Sequence, residues 1–151
     1  MAYFVHALRT LMGLLLRRPI LGTCVIPVLA DGSIVLVRRR DNGLWSLPGG
    51  IIDWGEDVIT AATRELKEEA GLETLGLERL VGVYSQPGRD PRFHSVCITV
   101  AVRVAGKPYA ADPREVLAAQ AFAPAALPWD SLSHDHLQHL QDFFKGETVL
   151  A

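Results

Sequence analysis

Hydrophobic residues at the start of the chain recur at helical spacing. They are Phe4, Leu8, Leu11 and Leu15. This period predicts an amphipathic helix that ends before Pro19, and we expect it to dock on protein, with a membrane surface as the alternative. Arg9 interrupts the apolar run, which is too short for a membrane span, and no small-x-small cleavage site follows. Residues 1–19 are therefore predicted to be a helical extension of a single domain, residues 20–151.

From Ile20 onward the pattern becomes that of β-strands. Two apolar runs, residues 20–30 and 33–39, flank Asp31 and Gly32, and an Asp-Gly pair is typical of a tight hairpin. Two further strands are predicted over residues 77–84 and 95–104, which are rich in β-branched residues. Residues 116–124 predict one more short strand, although alanines are frequent in it.

Two segments have the period of helices. Residues 57–70 place one apolar face together, consisting of Val58, Ala61, Ala62, Leu66 and Ala70. Gly71 follows in the position that glycine favours after a helix. A second helix is predicted over residues 133–145, with Ser133 as its cap and with Leu137, Leu140 and Phe143 or Phe144 turned inward.

Composition excludes several classes of function. The chain has 151 residues, 49% of them hydrophobic, and 15 basic against 17 acidic side chains give a net charge of −2. This near-neutral balance argues against a nucleic-acid-binding protein, which normally carries a basic face. Cys24 and Cys97 lie far apart in apolar runs, which favours buried reduced thiols over a disulfide framework or a zinc site. We therefore expect a cytoplasmic protein.

The chemistry is concentrated in the first helix. Eight of the 17 acids lie within residues 53–78. At about 100° per residue, Glu65 and Glu69 are about 40° apart, and Glu68 lies about 60° to the other side of Glu65. Like charges so placed repel each other, and a hard divalent cation such as Mg²⁺ or Mn²⁺ would remove that cost. The alternative is a solvated acidic face, which the preceding Gly-Gly pair and the Arg64–Glu68 spacing disfavour.

These residues resemble the signature of a known family. Gly50, Glu56 and the run from Arg64 to Leu72 reproduce the Nudix box, G-x5-E-x7-R-E-U-x-E-E-x-G-U, at every defined position. The resemblance implies an α/β/α sandwich with a mixed, curved sheet between helices. It also implies hydrolysis of a nucleoside diphosphate linked to another moiety, with Mg²⁺ or Mn²⁺ as cofactor.

The resemblance also implies roles for individual residues. The metal ligands would be Glu65, Glu68, Glu69 and the carbonyl of Gly49, and the catalytic set would comprise Glu68, Glu69, Arg64 and Glu56. Arg64 and Glu56 would orient the ligands through ion pairing, and either Glu68 or Glu69 would act as general base. Relatives often carry a further acid before the segment that appears here as residues 122–128. Ala118 and Ala119 occupy that stretch, so Glu115 is the nearest candidate.

Several residues outside the box bear on the substrate. Arg38 and Arg40 share one face of a strand end, and Arg89 and Arg92 belong to an R-D-P-R segment similar to that of ADP-ribose pyrophosphatase-like Nudix proteins. Arginine suits bidentate binding of phosphate. Trp45 either stacks on a nucleobase or packs its loop onto the domain. Residues 132–136 resemble a short element of the same relatives, and Asp135 is equally explained as a first-turn acid that favours the helix dipole.

The resulting prediction is a metal-dependent pyrophosphohydrolase that cleaves ADP-ribose or a related nucleotide sugar by attack of water at phosphorus. The alternatives are a nucleoside triphosphate pyrophosphatase with a housecleaning role and a non-catalytic Nudix nucleotide sensor. We expect a small-molecule nucleoside diphosphate substrate, no nucleic acid partner, no membrane span and, by the same resemblance, a possible homodimer.

Overall fold

A computed structural model describes residues 18–151. The predicted N-terminal helix therefore lies outside the described residues. From Arg18 to Ala151, no helix is both long and apolar enough to cross a membrane.

The described residues form eight strands and two α-helices. The strands are β1 (Ile20–Val28), β2 (Ile34–Arg39), β3 (Trp45–Ser46), β4 (Gly49–Ile51), β5 (Glu73–Tyr84), β6 (Ser95–Ala105), β7 (Val116–Phe122) and β8 (Val149–Leu150). The helices are α1 (Val58–Ala70) and α2 (His136–Lys145), and 3-10 turns span Pro124–Ala126 and Trp129–Ser131.

All eight strands belong to one mixed sheet. Its main order is β3-β2-β1-β6-β5-β8, with β4 paired to β1 and β7 paired to β2. The central pair, β1 and β6, is parallel, whereas β1 is antiparallel to both β2 and β4. Strand β4 pairs with the first half of β1. In this pairing Cys24 lies opposite Gly49, at the point where the glycine-rich loop enters the sheet.

The two helices cover opposite faces of this sheet. Successive side chains of β1 point to opposite faces of the sheet. Val25 therefore lies in the same core cluster as Leu66 of α1, and Ile26 lies in the same core cluster as Leu140 of α2. Strands buried on both faces have nearly continuous apolar sequences, as β1 and β2 do. The α/β/α sandwich with a mixed sheet is thus confirmed.

Local sequence signals account for the hairpin and for α1. Gly32 has φ +82°, and the backbone N–H of Ser33 donates to Asp31 Oδ1 at 2.9 Å, as expected for a tight Asp-Gly turn. Asp57 caps α1 by accepting a hydrogen bond from the N–H of Thr60. Gly71 ends the helix in the left-handed conformation with φ +66°. The predicted Asp31-Gly32 turn and the predicted helix end at Gly71 are confirmed, whereas Asp57 was predicted as part of the helix and is instead its cap.

Two boundaries differ from the prediction by three or more residues. Strand β5 begins at Glu73 instead of residue 77, because its pairing with β6 extends to Glu73 and Ala105. Helix α2 begins at His136 rather than next to Ser133. The hydroxyl of Ser133 accepts a hydrogen bond from the Asn42 side chain at 2.9 Å, so Ser133 connects two loops instead of capping the helix.

The inward face of α2 also differs from the prediction. Leu140 is fully buried and Phe143 packs against the core, as predicted, but Leu137 is 39% exposed. The other buried positions are taken by His136, His139 and Asp142, which the apolar pattern had not marked. The helix turns His136 and His139 towards the sheet, where the ring nitrogens of both form hydrogen bonds inside the domain.

Candidate active site

The guanidinium of Arg64 organises the acidic face of α1. Its Nε and Nη2 donate to the two carboxylate oxygens of Glu56 at 2.8 and 2.9 Å, a bidentate arrangement. Its Nη1 donates to Glu65 Oε1 at 2.7 Å and to Glu68 Oε2 at 3.4 Å. One arginine therefore holds two of the three predicted metal-ligating carboxylates in place.

The absence of side chains at Gly49 and Gly50 leaves space for Glu65 and for the backbone of β1. A Cβ atom on Gly50 would lie 2.3 Å from Glu65 Oε1, and one on Gly49 would lie 2.2 Å from the carbonyl oxygen of Thr23. Neither position tolerates a side chain. The backbone N–H of Gly49 also donates to Glu69 Oε2 at 3.0 Å, which ties the third carboxylate to the loop.

Burial disfavours the charged form of two carboxylates in this cluster. It raises the pKa of Glu69 to about 8, and it raises the pKa of Glu65 even though Arg64 opposes that effect. In contrast, the hydrogen bonds from Arg64 lower the pKa of Glu56 to about 2. Oxygen donors on a partly desolvated, net negative face fit a hard divalent cation. Glu65, Glu68, Glu69 and the Gly49 carbonyl are the groups that could hold it.

A cavity of about 570 Å³ opens beside this cluster. Glu69, Gly49 and Gly50 line it together with Glu115, which directly precedes β7. The volume falls in the range of cavities that hold cofactor-sized ligands, roughly 300 to 1,000 Å³. Glu115 thus reaches the same cavity as Glu69 even though β7 presents alanines at residues 118 and 119.

Five arginines line the cavity, namely Arg39, Arg40, Arg89, Arg92 and Arg114. Three of them pair with an aspartate two residues away, in the pairs Arg39–Asp41, Arg92–Asp90 and Arg114–Asp112. Arg89 pairs with Asp135. Within residues 18–151, Arg40 is the cavity arginine that forms no ion pair, and its Nε donates to the carbonyl of Pro113 at 2.8 Å.

Two predicted substrate-binding residues lie outside the cavity lining. Arg38 is exposed, and its Nε donates to the carbonyl of Gly43. Trp45 is half-buried and packs edge-on against Phe122, with ring centroids 4.9 Å apart. Arg39, the residue between the two predicted arginines, lines the cavity instead of Arg38.

The cavity lining also includes two histidines that the sequence pattern did not assign to the site. His134 and His136 line the cavity, together with Asp135. His134 has φ +52°, and its Nε2 is buried with no hydrogen-bond partner in the described part of the chain. The backbone N–H of Leu47 donates to Nδ1 of His136 at 2.9 Å. The resemblance of residues 132–136 to an element of the relatives was the available signal, but Asp135 was explained equally well as a first-turn acid.

Comparisons with known proteins agree with this geometry. Residues 18–143 match the family model of the NUDIX domain. An ADP-ribose pyrophosphatase from Methanocaldococcus jannaschii is 38% identical over 120 residues, covering 76% of this chain and 68% of that protein. A putative 8-oxo-dGTP diphosphatase from Bacillus subtilis is 35% identical over 125 residues, covering 83% and 80%. The solved structure of an ADP-ribose pyrophosphatase from Streptococcus suis superimposes with a TM-score of 0.72 at 28% identity, covering 89% of this chain and 100% of that chain.

Proposed function

The chain belongs to the Nudix hydrolase family, and on that premise we propose that it is a metal-dependent pyrophosphohydrolase that cleaves the diphosphate of ADP-ribose or a related nucleotide sugar. The observation that carries the proposal is the shared cavity. Glu69 of α1 and Glu115 line it together with five arginines.

The chemistry of the substrate explains why carboxylates and arginines line the same cavity. A diphosphate carries several negative charges that repel an attacking water molecule. A bound Mg²⁺ or Mn²⁺ ion would supply neutralisation of that charge and a lower pKa for a bound water. Glu65, Glu68, Glu69 and the Gly49 carbonyl would hold the metal. Glu68 or Glu69 would accept the proton of the attacking water, and Glu115 is the further acid within the same cavity.

The arginines would orient the substrate. Arg40 has donors that are not committed to a carboxylate among the described residues, so it is our first candidate for a phosphate oxygen. Arg89 and Arg92 border the same space, and the unpartnered Nε2 of His134 adds a further polar group. The relatives from M. jannaschii and S. suis are ADP-ribose pyrophosphatases, which favours ADP-ribose for this chain.

A second candidate substrate class has an observation of its own. The relative from B. subtilis is a putative 8-oxo-dGTP diphosphatase and is 35% identical to this chain. Hydrolysis of nucleoside triphosphates is therefore the alternative. A non-catalytic sensor is disfavoured, because all the carboxylates of the box are present and Arg64 holds Glu65 and Glu68 in place.

A substrate screen with product analysis tests the proposal. Purified protein is incubated with Mg²⁺ or Mn²⁺ and equal concentrations of ADP-ribose, nucleotide sugars and nucleoside triphosphates. We expect AMP and ribose 5-phosphate from ADP-ribose, at a higher kcat/KM than for any triphosphate. Isotopically labelled water shows which phosphorus is attacked, because the label stays on that product. Inactivity towards the whole panel with both metals would refute the proposal, and a preference for triphosphates would favour the alternative.

A further inference from the structure

Two thiols and a histidine come together on the α2 side of the cavity. Cys24 is on β1, Cys97 is on β6 and His139 is on α2. One ligand atom of each lies within 4.8 Å of the other two. All three side chains are buried, with exposures of 9%, 5% and 0%. Cys24 and Cys97 also line the cavity, so the cluster is accessible from it.

The orientation of the histidine ring is determined by its two hydrogen bonds. Nδ1 lies 3.0 Å from the hydroxyl of Thr99, and that hydroxyl lies 3.7 Å from Cys97 Sγ. Nδ1 is therefore the ring nitrogen turned towards the thiols. Nε2 lies 3.0 Å from Asp135 Oδ2, so it carries the proton and donates it to the carboxylate. A histidine with a carboxylate behind its other nitrogen is the usual arrangement of a metal-ligating histidine.

We propose that Cys24 Sγ, Cys97 Sγ and His139 Nδ1 form a binding site for a soft divalent cation of the Zn²⁺ type. With zinc–sulfur bonds of about 2.3 Å, tetrahedral ligand atoms are roughly 3.8 Å apart, within the span that these three atoms already have. Because Cys24 and Cys97 line the cavity, a water molecule from it would complete the coordination. The two thiolates neutralise the charge of the ion, and the two thiol protons are released to solvent.

A hydrogen-bond donor lies next to one of the two sulfurs. His136 accepts a hydrogen bond at Nδ1 from the backbone N–H of Leu47, so its Nε2 carries the proton and donates to Cys24 Sγ at 3.5 Å. Metal-bound thiolates commonly have such a donor.

Strand register favours a metal site over a disulfide between the same cysteines. In the parallel pair of β1 and β6, Cys24 lies opposite Thr99, and Cys97 lies opposite Gly22. The two cysteines are diagonal neighbours, offset by two residues along the strands. A disulfide needs a close approach of the two Cα atoms, whereas a bridging ion spans the diagonal.

The site differs in donor chemistry from the carboxylate cluster of α1, and this difference makes it testable without any nucleotide. Reduced protein is titrated with Co²⁺, which reports thiolate ligation in a tetrahedral field through a charge-transfer band and intense d–d bands. We expect one equivalent of Co²⁺ to produce both, and Zn²⁺ to displace it. Cys24→Ser and Cys97→Ser should each lower the intensity of the charge-transfer band by at least half.

Matched variants separate this site from the carboxylate cluster and from the nearby cavity histidine. Glu68→Gln removes a carboxylate from the α1 cluster, and His134→Gln removes a cavity histidine outside the trio. Both should retain the full charge-transfer band. A wild-type titration without that band, or a band unchanged in Cys97→Ser, would overturn the proposal.

Alkylation of the wild-type thiols provides a measurement that does not depend on the folding of any variant. One equivalent of Zn²⁺ should slow modification of both cysteines by iodoacetamide at least about tenfold, as measured by mass spectrometry. Mg²⁺ at the same concentration should not slow it. Equal rates with and without Zn²⁺ would contradict the site. Because no nucleotide is present, this result is independent of the proposed hydrolase substrate.

Discussion

Arg89 and Asp135 form an ion pair across 46 residues of sequence. Nη1 of Arg89 lies 2.9 Å from each carboxylate oxygen of Asp135, and its Nη2 donates to the hydroxyl of Ser95 at 2.6 Å. The pair joins the loop between β5 and β6 to the start of α2. Burial would raise the pKa of Asp135, but the hydrogen bonds from His139 and Arg89 outweigh it and hold that pKa below its usual range.

This pair should be energetically coupled. Both side chains are largely buried, with exposures of 13% and 21%, so removing one partner leaves the other charge unpaired. A double-mutant cycle of Arg89→Gln and Asp135→Asn, measured by urea unfolding, should give a coupling energy of about 2 kcal/mol. The cycle of Arg92→Gln and Asp90→Asn is the control. Because Arg92 is half-exposed, its coupling should stay below about 1 kcal/mol, and equal couplings would contradict this ranking.

Glu68→Gln and Glu69→Gln should each reduce kcat/KM by at least about a hundredfold. An amide carries no charge for the metal and cannot take a proton from water. Initial rates on the preferred substrate across a range of Mg²⁺ and Mn²⁺ concentrations measure the effect. Glu73→Gln, an exposed acid just beyond α1, is the control and should retain wild-type rates. Full activity in both test variants would remove these residues from the mechanism.

Arg64→Lys should raise the metal concentration needed for half-maximal activity about tenfold. Lysine keeps the charge but cannot donate in parallel to both oxygens of Glu56 while also reaching Glu65. Metal titrations of activity measure the shift. Lys67→Gln changes an exposed charge on the same helix and should leave the titration unchanged. An unaltered midpoint of the metal titration in Arg64→Lys would show that the carboxylates hold their positions without the hydrogen bonds of the guanidinium.

Gly50→Ala should weaken metal-dependent activity about tenfold. Its new methyl group would lie 2.3 Å from Glu65 Oε1, so the carboxylate must move. Gly76→Ala is the matched control, because its methyl group would meet only the flexible end of Arg103, at 3.1 Å. Metal titration and Tm are measured for both variants. A Gly50→Ala protein that matches Gly76→Ala in both readouts would refute the steric role of Gly50.

His136 should make the domain less stable in mild acid. Burial holds its pKa well below the ordinary value of 6.5, so the folded state keeps it neutral while the unfolded chain takes up a proton below that pH. The stability that the neutral His136 side chain contributes to the folded state is therefore present above about pH 6.5 and is lost as the pH falls. Between about pH 7.5 and about pH 5.5, the free energy of unfolding should fall roughly 1.4 kcal/mol further in the wild type than in His136→Gln.

Urea unfolding at the two pH values measures this difference. The exposed His94 provides the control, and His94→Gln should show the pH dependence of the wild type. If His136→Gln behaves in the same way as His94→Gln, the buried ring does not carry the effect.

The local sequence determined the elements whose causes lie within a few residues. The Asp31-Gly32 turn, the Asp57 cap, the Gly71 terminus and the clustering of acids on α1 all follow from neighbours at short spacing. The two-sided burial of β1 follows from its continuous apolar run. The resemblance to the Nudix box then gave the sandwich and the class of reaction.

Only the tertiary structure decided which distant groups share the cavity. Arg39 and Arg40 line it rather than Arg38, because the pairing of β2 with β7 shifts register between Arg38 and Arg39 and so breaks the simple alternation. Cys24, Cys97 and His139 come from three elements, so their spacing in sequence argued against a metal site although the fold brings their ligand atoms together. The pairing of Arg89 with Asp135 has the same origin. Side-chain spacing along a chain reports contacts within one element, whereas contacts between elements depend on how the sheet and helices pack.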